Sequence, residues 1–167
     1  MEKDSPILYC VDKEYLKYLH KEDFRVSVKF NNRPFAGIVT SVVDKKYMIP
    51  LTSQTTEERK KEGKKKRSAL ITTFVTETSG KEIANLLYNN MIPVEEDNIT
   101  ALDINPETDT YESNEIRYLR KNWESIEKKA ANVYNQRYDT KSPNFAFLKR
   151  TCCDFKKLEI ALDRYGE

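Results

Sequence analysis

Histidine is nearly absent: His20 is the only one among 167 residues, so any reaction that needs a pair of imidazoles as acid and base is excluded. Beside Lys21 and Glu22 in an amphipathic stretch, His20 reads as a residue of a helix surface. Glycine is almost as scarce, with four residues, each isolated. No glycine-rich loop can cradle a triphosphate, which removes nucleotide-triphosphate chemistry of that kind. Cysteine occurs three times, and Cys152 and Cys153 are neighbours. That is poor spacing for a zinc site and awkward for a disulfide, so the thiols read as buried or idle. Closely spaced carboxylates with metal-ligand spacing are also missing, and the acidic turn Glu95 to Asp97 lacks the alternation and the glycine of a calcium loop. The expectation is a protein with no metal and no cofactor. Finally, no apolar run approaches the roughly 20 residues that span a bilayer, and the chain opens Met-Glu-Lys-Asp rather than with a signal segment. A cytoplasmic protein with no membrane partner is expected.

What the chain does contain is charge, unevenly placed. Arg59 to Arg67 holds seven basic residues and one acid, which leaves 22 basic against 26 acidic residues elsewhere, a net −4 outside the run and +2 overall. The positive field is therefore local. It fits either a solvated loop or a loop that binds a polyanion. The length suits one domain, residues 1–167, with a core of its own.

Hydrophobic patterning assigns the elements. Pro6 to Val11 reads as a strand, and Asp12 caps a helix with Tyr15, Leu16 and Leu19 on one face. Phe35 to Val43 and Tyr47 to Leu51, joined through Asp44-Lys45-Lys46, form a hairpin rich in β-branched residues. Pro50 cannot donate a ladder hydrogen bond, which argues for an edge or a strand end there, with Thr52-Ser53 emerging at the rim of the sheet. Ala69 to Val75 is a further strand and Ser79-Gly80 a turn. Lys81 to Tyr88 favours a short helix. Asn90 to Val94 and Ile99 to Ile104 are short strands across an acidic turn. Ile116, Leu119, Trp123, Ile126, Ala130 and Val133 then recur at three and four residues, the stripe of a long amphipathic helix in the C-terminal half. After Ser142-Pro143-Asn144 a last helix buries Phe155, Leu158, Leu162 and Tyr165. A mostly antiparallel sheet followed by helices is the α+β class.

The remaining chemistry is one that RNA itself makes available. A ribose 2′-hydroxyl can attack the adjacent phosphate, so a protein needs only cations and hydroxyls that align the attack and offset developing charge. Arg33, Thr52, Ser53 and the basic run supply such groups. Singly each has a plainer reading: a Thr-Ser pair is commonly a turn or cap, and Arg33 before Pro34 can be a solvated loop residue.

Asn32-Arg33-Pro34-Phe35-Ala36-Gly37-Ile38-Val39 followed by Lys46-Tyr47-Met48-Ile49-Pro50-Leu51-Thr52-Ser53 resembles, in order and spacing, the N-terminal signature of the ToxN/AbiQ family. Tyr9, Tyr15 to Leu19, Asn90 to Val94 and Thr151 to Leu158 extend the likeness over most of the chain. The resemblance implies a twisted antiparallel sheet of Kid/MazF type flanked by helices. It implies a metal-independent endoribonuclease toxin that cuts A-rich single-stranded RNA, leaving a 2′,3′-cyclic phosphate and a 5′-hydroxyl. It implies as partner a small antitoxin RNA, cut from repeats by the toxin and bound back in a closed toxin–RNA assembly, with a role in phage defence. Carried over residue by residue, Arg33, Thr52 and Ser53 are the catalytic candidates. The lysine the family often places two positions after the serine is Thr55 here, so either that role is lost or Lys60 or Lys61 reaches in. For RNA binding, Lys45, Lys46, Arg59, Lys60, Lys61, Lys64, Lys65, Lys66 and Arg67 can follow phosphates, and Phe30, Phe35 and Tyr47 can stack bases. Arg117, Arg120 and Lys121, off the stripe of the long helix, are further candidates beside the plainer reading of a solvated face. The rival reading is a nonenzymatic RNA- or DNA-binding regulator that uses the same basic run.

Overall fold

Short apolar runs broken by turns pair into one antiparallel sheet, against which helices lay their apolar faces. The computed structural model describes residues 8–28, 34–39 and 45–167. Among these, strands β1 (Leu8–Val11), β2 (Phe35–Val39), β3 (Lys46–Thr52), β4 (Thr72–Thr76), β5 (Glu82–Leu87), β6 (Ile92–Val94) and β7 (Ile99–Ala101) alternate with helices α1 (Lys13–Glu22) and α2 (Thr56–Lys61). Helices α3 (Tyr111–Arg137), α4 (Phe145–Thr151) and α5 (Phe155–Arg164) follow. The strand order is β4-β5-β3-β2-β1-β7, with β6 also on β3. The expected α+β class is what forms.

Strands β2 and β3 pair antiparallel, with Phe35 opposite Pro50 and Ala36 opposite Ile49, as the expected hairpin requires; its residues 40–44 lie outside the described residues. Pro50 is close to a strand end, as expected, but β3 is the centre of the sheet and not its edge. On the side away from β2, β3 pairs with β6 through Met48 and with β5 from Leu51 onward. Pro50 falls in the gap between those partners, where no ladder bond is required of it.

Lys81 to Tyr88 is not a helix. Glu82–Leu87 is strand β5, held between β4, where Thr73 meets Leu86, and β3, where Leu51 also meets Leu86. Pairing on both sides outweighs a weak local preference. The strand expected from Ala69 begins only at Thr72, after a turn. The start of the basic run is also helical rather than loop: Arg59 to Lys61 form the last turn of α2.

Helix α3 has 27 residues, about 40 Å at 1.5 Å per residue. Its N-cap Thr110 accepts a hydrogen bond from the Ser113 amide at 3.1 Å, and Ile116, Leu119, Ile126, Ala130 and Val133 are buried as the stripe requires, with Trp123 partly so. Near its C-terminal end the ring of Tyr134 stacks on Phe155 at the start of α5, and Tyr47 of β3 packs edge-on to both. Strand β3 therefore has its first residues locked in an aromatic core and its last residues at the rim.

Candidate functional site

Thr52 and Ser53 end β3 beside α2. Thr52 is buried and lies opposite Asn85 in the ladder with β5, and Ser53 is exposed. The Thr52 hydroxyl accepts from the Gln54 amide at 3.2 Å and so turns the chain out of the strand. Thr55 then caps α2, its hydroxyl accepting from the Glu58 amide.

A layer of polar side chains holds this corner. The Arg67 guanidinium donates to the Gln54 carbonyl (2.7 Å), to Asn85 Oδ1 (2.8 Å) and to Gln54 Oε1 (2.8 Å). Asn85, fully buried, donates in turn to Glu82 Oε2 at 2.8 Å, and the same oxygen accepts from the Thr56 amide and hydroxyl. Partial burial opposes ionisation of Glu82, yet these donors from Asn85 and Thr56 hold its carboxyl below the usual range. Arg59 donates to the Lys65 carbonyl and to Gln54 Oε1, and Gln54 donates to Glu62. Two guanidiniums of the basic run thus face inward and brace the residue that follows Ser53.

The structure sorts the candidates from the sequence. Arg33 and Phe30 lie outside the described residues; Pro34, one peptide bond after Arg33, accepts from the Leu51 amide at 3.2 Å, next to Thr52. Phe35 and Tyr47 are corrections: they are 1% and 0% exposed, and the Tyr47 hydroxyl is bound to Glu159 at 2.5 Å, so neither ring offers a face to a base. Thr55 is occupied as a helix cap, and the Lys61 ammonium lies 3.8 Å from Glu57. Lys60, Lys64, Lys65 and Lys66 are exposed, with Lys64 beside Glu62 and Lys66 over the Phe74 ring. Lys45 and Lys46 pair with Asp163 and Glu96 on the surface. Arg117 clamps the approach to α3, donating to the carbonyls of Pro106 and Thr108 and to the Asn114 side chain. Arg120 and Lys121 are exposed on α3, and Lys121 lines a cleft of about 400 Å³ with Arg117, Tyr118 and Thr76.

Ser53 opens on a larger cleft of about 620 Å³, between α2, β5 and the start of α3, lined also by Lys61, Lys81, Tyr111 and Asn114. Its other charged lining residues are Glu57, Glu58, Glu77, Glu82 and Asp109, so the cleft itself is acidic, with Lys61 at the end of α2 and Lys81 just before β5 as its lining cations. Gln54, Asn85, Glu82 and Thr56 were not found from the sequence. Asn85, a polar residue inside the apolar run Ile83 to Leu87, was the one available sign. The arrangement holds an exposed serine at a strand end, with the Arg67 guanidinium bound to the carbonyl of the next residue, two groups that could meet a phosphate at the rim of this acidic cleft.

Residues 7–163 match the family model described as toxin ToxN of a type III toxin–antitoxin system. The chain is 28% identical to endoribonuclease ToxN of Bacillus thuringiensis subsp. kurstaki, over 99% of this chain and 87% of the relative. It superposes with a TM-score of 0.84 and 28% identity, over 98% of this chain and 99% of the other, on a structure from a study of type III systems and selective toxin inhibition by a non-coding RNA pseudoknot. The structure of AbiQ, a lactococcal anti-phage endoribonuclease of a type III system, gives a TM-score of 0.78 with 26% identity, over 96% of this chain and 98% of that one.

Proposed function

Because this chain belongs to the ToxN family of type III toxin–antitoxin toxins, we propose that it is an endoribonuclease that cuts A-rich single-stranded RNA and is silenced by a small structured RNA. That antitoxin RNA is released from tandem repeats by the toxin itself and bound back in a closed assembly, as part of defence against phage. The observation that carries the reading is the strand end at Thr52-Ser53, braced by Arg67, Gln54 and Asn85.

The 2′-oxygen of the ribose attacks phosphorus as the bond from phosphorus to the 5′-oxygen breaks, leaving a 2′,3′-cyclic phosphate; the 2′-proton passes to solvent water and the leaving 5′-oxygen takes one from water to become a hydroxyl. Ser53, exposed, orients a nonbridging oxygen, and Arg33 offsets the charge that grows on the phosphate. Thr52, buried, sets the turn that aims Ser53. Exposed Lys60 and Lys64 to Lys66 draw the strand toward this edge.

Ser53→Ala is the direct test. Ser53 is exposed, so the variant folds and melts as the wild type does, while growth inhibition and cleavage of an A-rich strand are lost. Full toxicity in Ser53→Ala would remove this strand end from the reaction.

A further inference from the structure

The last residue of α3 is out of place by the logic of its own helix. Arg137 continues the buried face that runs through Ala130, Val133 and Tyr134, and it is 6% exposed. Its Nε is sealed from solvent with no hydrogen-bond partner, and the guanidinium has no carboxylate or carbonyl acceptor among the described residues. It rests instead over the ring of Tyr138, 4.9 Å from the centroid. An unpaired buried cation lowers stability, and an apolar side chain of similar volume would serve the core better. A partner from outside the chain gives the residue a reason.

The surroundings say what that partner is. Tyr138 is pinned by its hydroxyl, which donates to Asp154 at 2.7 Å, and Lys156 places a second cation 4.5 Å from the same ring. On α4, Lys149 lies over Phe145 and Arg150 over Phe147. Arg25, beside the exposed ring of Phe24, donates to the Lys149 carbonyl at 2.8 Å and so joins this surface. Between residues 137 and 157 there are six basic side chains against Asp139 and Asp154, and Asp154 already accepts from Tyr138 and from the Lys157 amide. Cations interleaved with aromatic rings are the surface on which a single strand lays phosphates and stacks bases, and a guanidinium fork matches a phosphate in particular.

We propose that the C-terminal end of α3, with α4 and the start of α5, forms a second RNA-binding surface in which Arg137 grips a backbone phosphate. It rests on the RNA-directed function proposed above. It is remote from the catalytic edge: Asn114, which lines the Ser53 cleft, and Arg137 are 23 residues apart on one helix, about 35 Å. A short strand bound at Ser53 cannot reach it.

Anisotropy of a fluorescent, fully 2′-O-methylated A-rich strand long enough to span α3, titrated over a salt series, reads binding without cleavage. Two variants of the full chain are compared with wild type. Arg137→Met is expected to melt at or above the wild-type temperature yet bind about tenfold more weakly or worse, as removal of a charged partner from a phosphate implies. Lys149→Glu/Arg150→Glu/Lys156→Glu, all exposed positions, is expected to bind more weakly and to lower the slope of log affinity on log salt by about 2, near 0.7 for each phosphate no longer neutralised. A lower melting temperature in Arg137→Met with unchanged binding would make Arg137 structural and overturn the proposal, as would an unchanged salt slope in the triple variant. Loss of polyglutamate binding in the triple variant, with RNA binding intact, would overturn it in favour of an acidic protein partner. If the wild type binds but never cleaves RNA and the variants lose binding, this surface stands and the ribonuclease reading falls.

Discussion

Replacing Arg67 by Ala takes the brace away from the strand end proposed to be catalytic. Among the described residues the guanidinium donates hydrogen bonds of 2.7 to 2.8 Å to the Gln54 carbonyl, to Gln54 Oε1 and to buried Asn85. Charge-assisted bonds of this kind contribute about 1.5 to 3 kcal/mol each where water is excluded. Arg67 is only half-buried, and water can reach the Gln54 carbonyl once the side chain is gone, so the three do not sum. The acceptor that water replaces least well is Asn85 Oδ1, which points to a net loss of about 2 to 3 kcal/mol. The kinetic cost is larger, because Gln54 directly follows Ser53: a shift of about 1 Å at the reacting group costs on the order of a hundredfold in rate. Urea unfolding of Arg67→Ala should show a lower midpoint with an unchanged slope, and cleavage of a short A-rich strand should fall about a hundredfold at saturating RNA. Arg67→Lys should rescue stability in part but not rate, since one ammonium cannot replace a fork that holds the Gln54 backbone and side chain together. Stability within about 0.5 kcal/mol of wild type and cleavage within twofold in Arg67→Ala would refute the bracing role.

Glu115, 1% exposed with Oε1 unpartnered, has its carboxyl pushed up to about 8, chiefly by burial and then by Glu112. The folded protein keeps this proton while the unfolded chain releases it near pH 4.5, so stability falls as pH rises between those values, by up to about 4 kcal/mol from pH 5 to 8. Glu115→Gln should flatten that profile and raise the melting temperature at pH 8. Asp23 behaves in the opposite sense: burial raises its pKa, but donors from Arg25 and the Asp154 amide outweigh it and hold the carboxyl below its usual value. Its contribution is full above about pH 4 and is lost as pH falls. Asp23→Asn should cost about 3 kcal/mol at pH 7, by leaving Arg25 without its carboxylate, and should show a shallower loss of stability on acidification in urea-denaturation series. Tyr47→Phe, which removes the hydroxyl bound to Glu159, should lower stability by about 1 kcal/mol and leave cleavage unchanged, since the ring stays in the core away from Ser53.

The parts of the fold that were legible in the sequence are those whose signal is local. The stripe from Ile116 to Val133 needs only helical periodicity, and the hairpin of β2 and β3 needs only two apolar runs and a turn. Strand β5 was not legible because Glu82 and Asn85 interrupt its alternation, and what makes it a strand is the pair of neighbours it finds in β3 and β4. The catalytic candidates Thr52 and Ser53 were visible through motif spacing, but the layer behind them was not. A count of charges cannot tell that Arg59 and Arg67 turn inward while Lys60 and Lys64 to Lys66 face water. For the same reason Phe35 and Tyr47 passed as stacking platforms: aromatic residues near a basic turn suit RNA, and only their place in the sheet reveals that both rings belong to the core.

The central claim is that RNA supplies its own nucleophile at the Thr52-Ser53 strand end. Purified protein should be incubated in excess EDTA with an A-rich single strand, and in parallel with the same strand carrying one 2′-deoxy residue on the 5′ side of the cleaved bond. Cleavage that persists in EDTA, leaves a 2′,3′-cyclic phosphate and stops at the 2′-deoxy position is the predicted result. Scission of the 2′-deoxy strand at the same bond, or no scission of either strand, would contradict it.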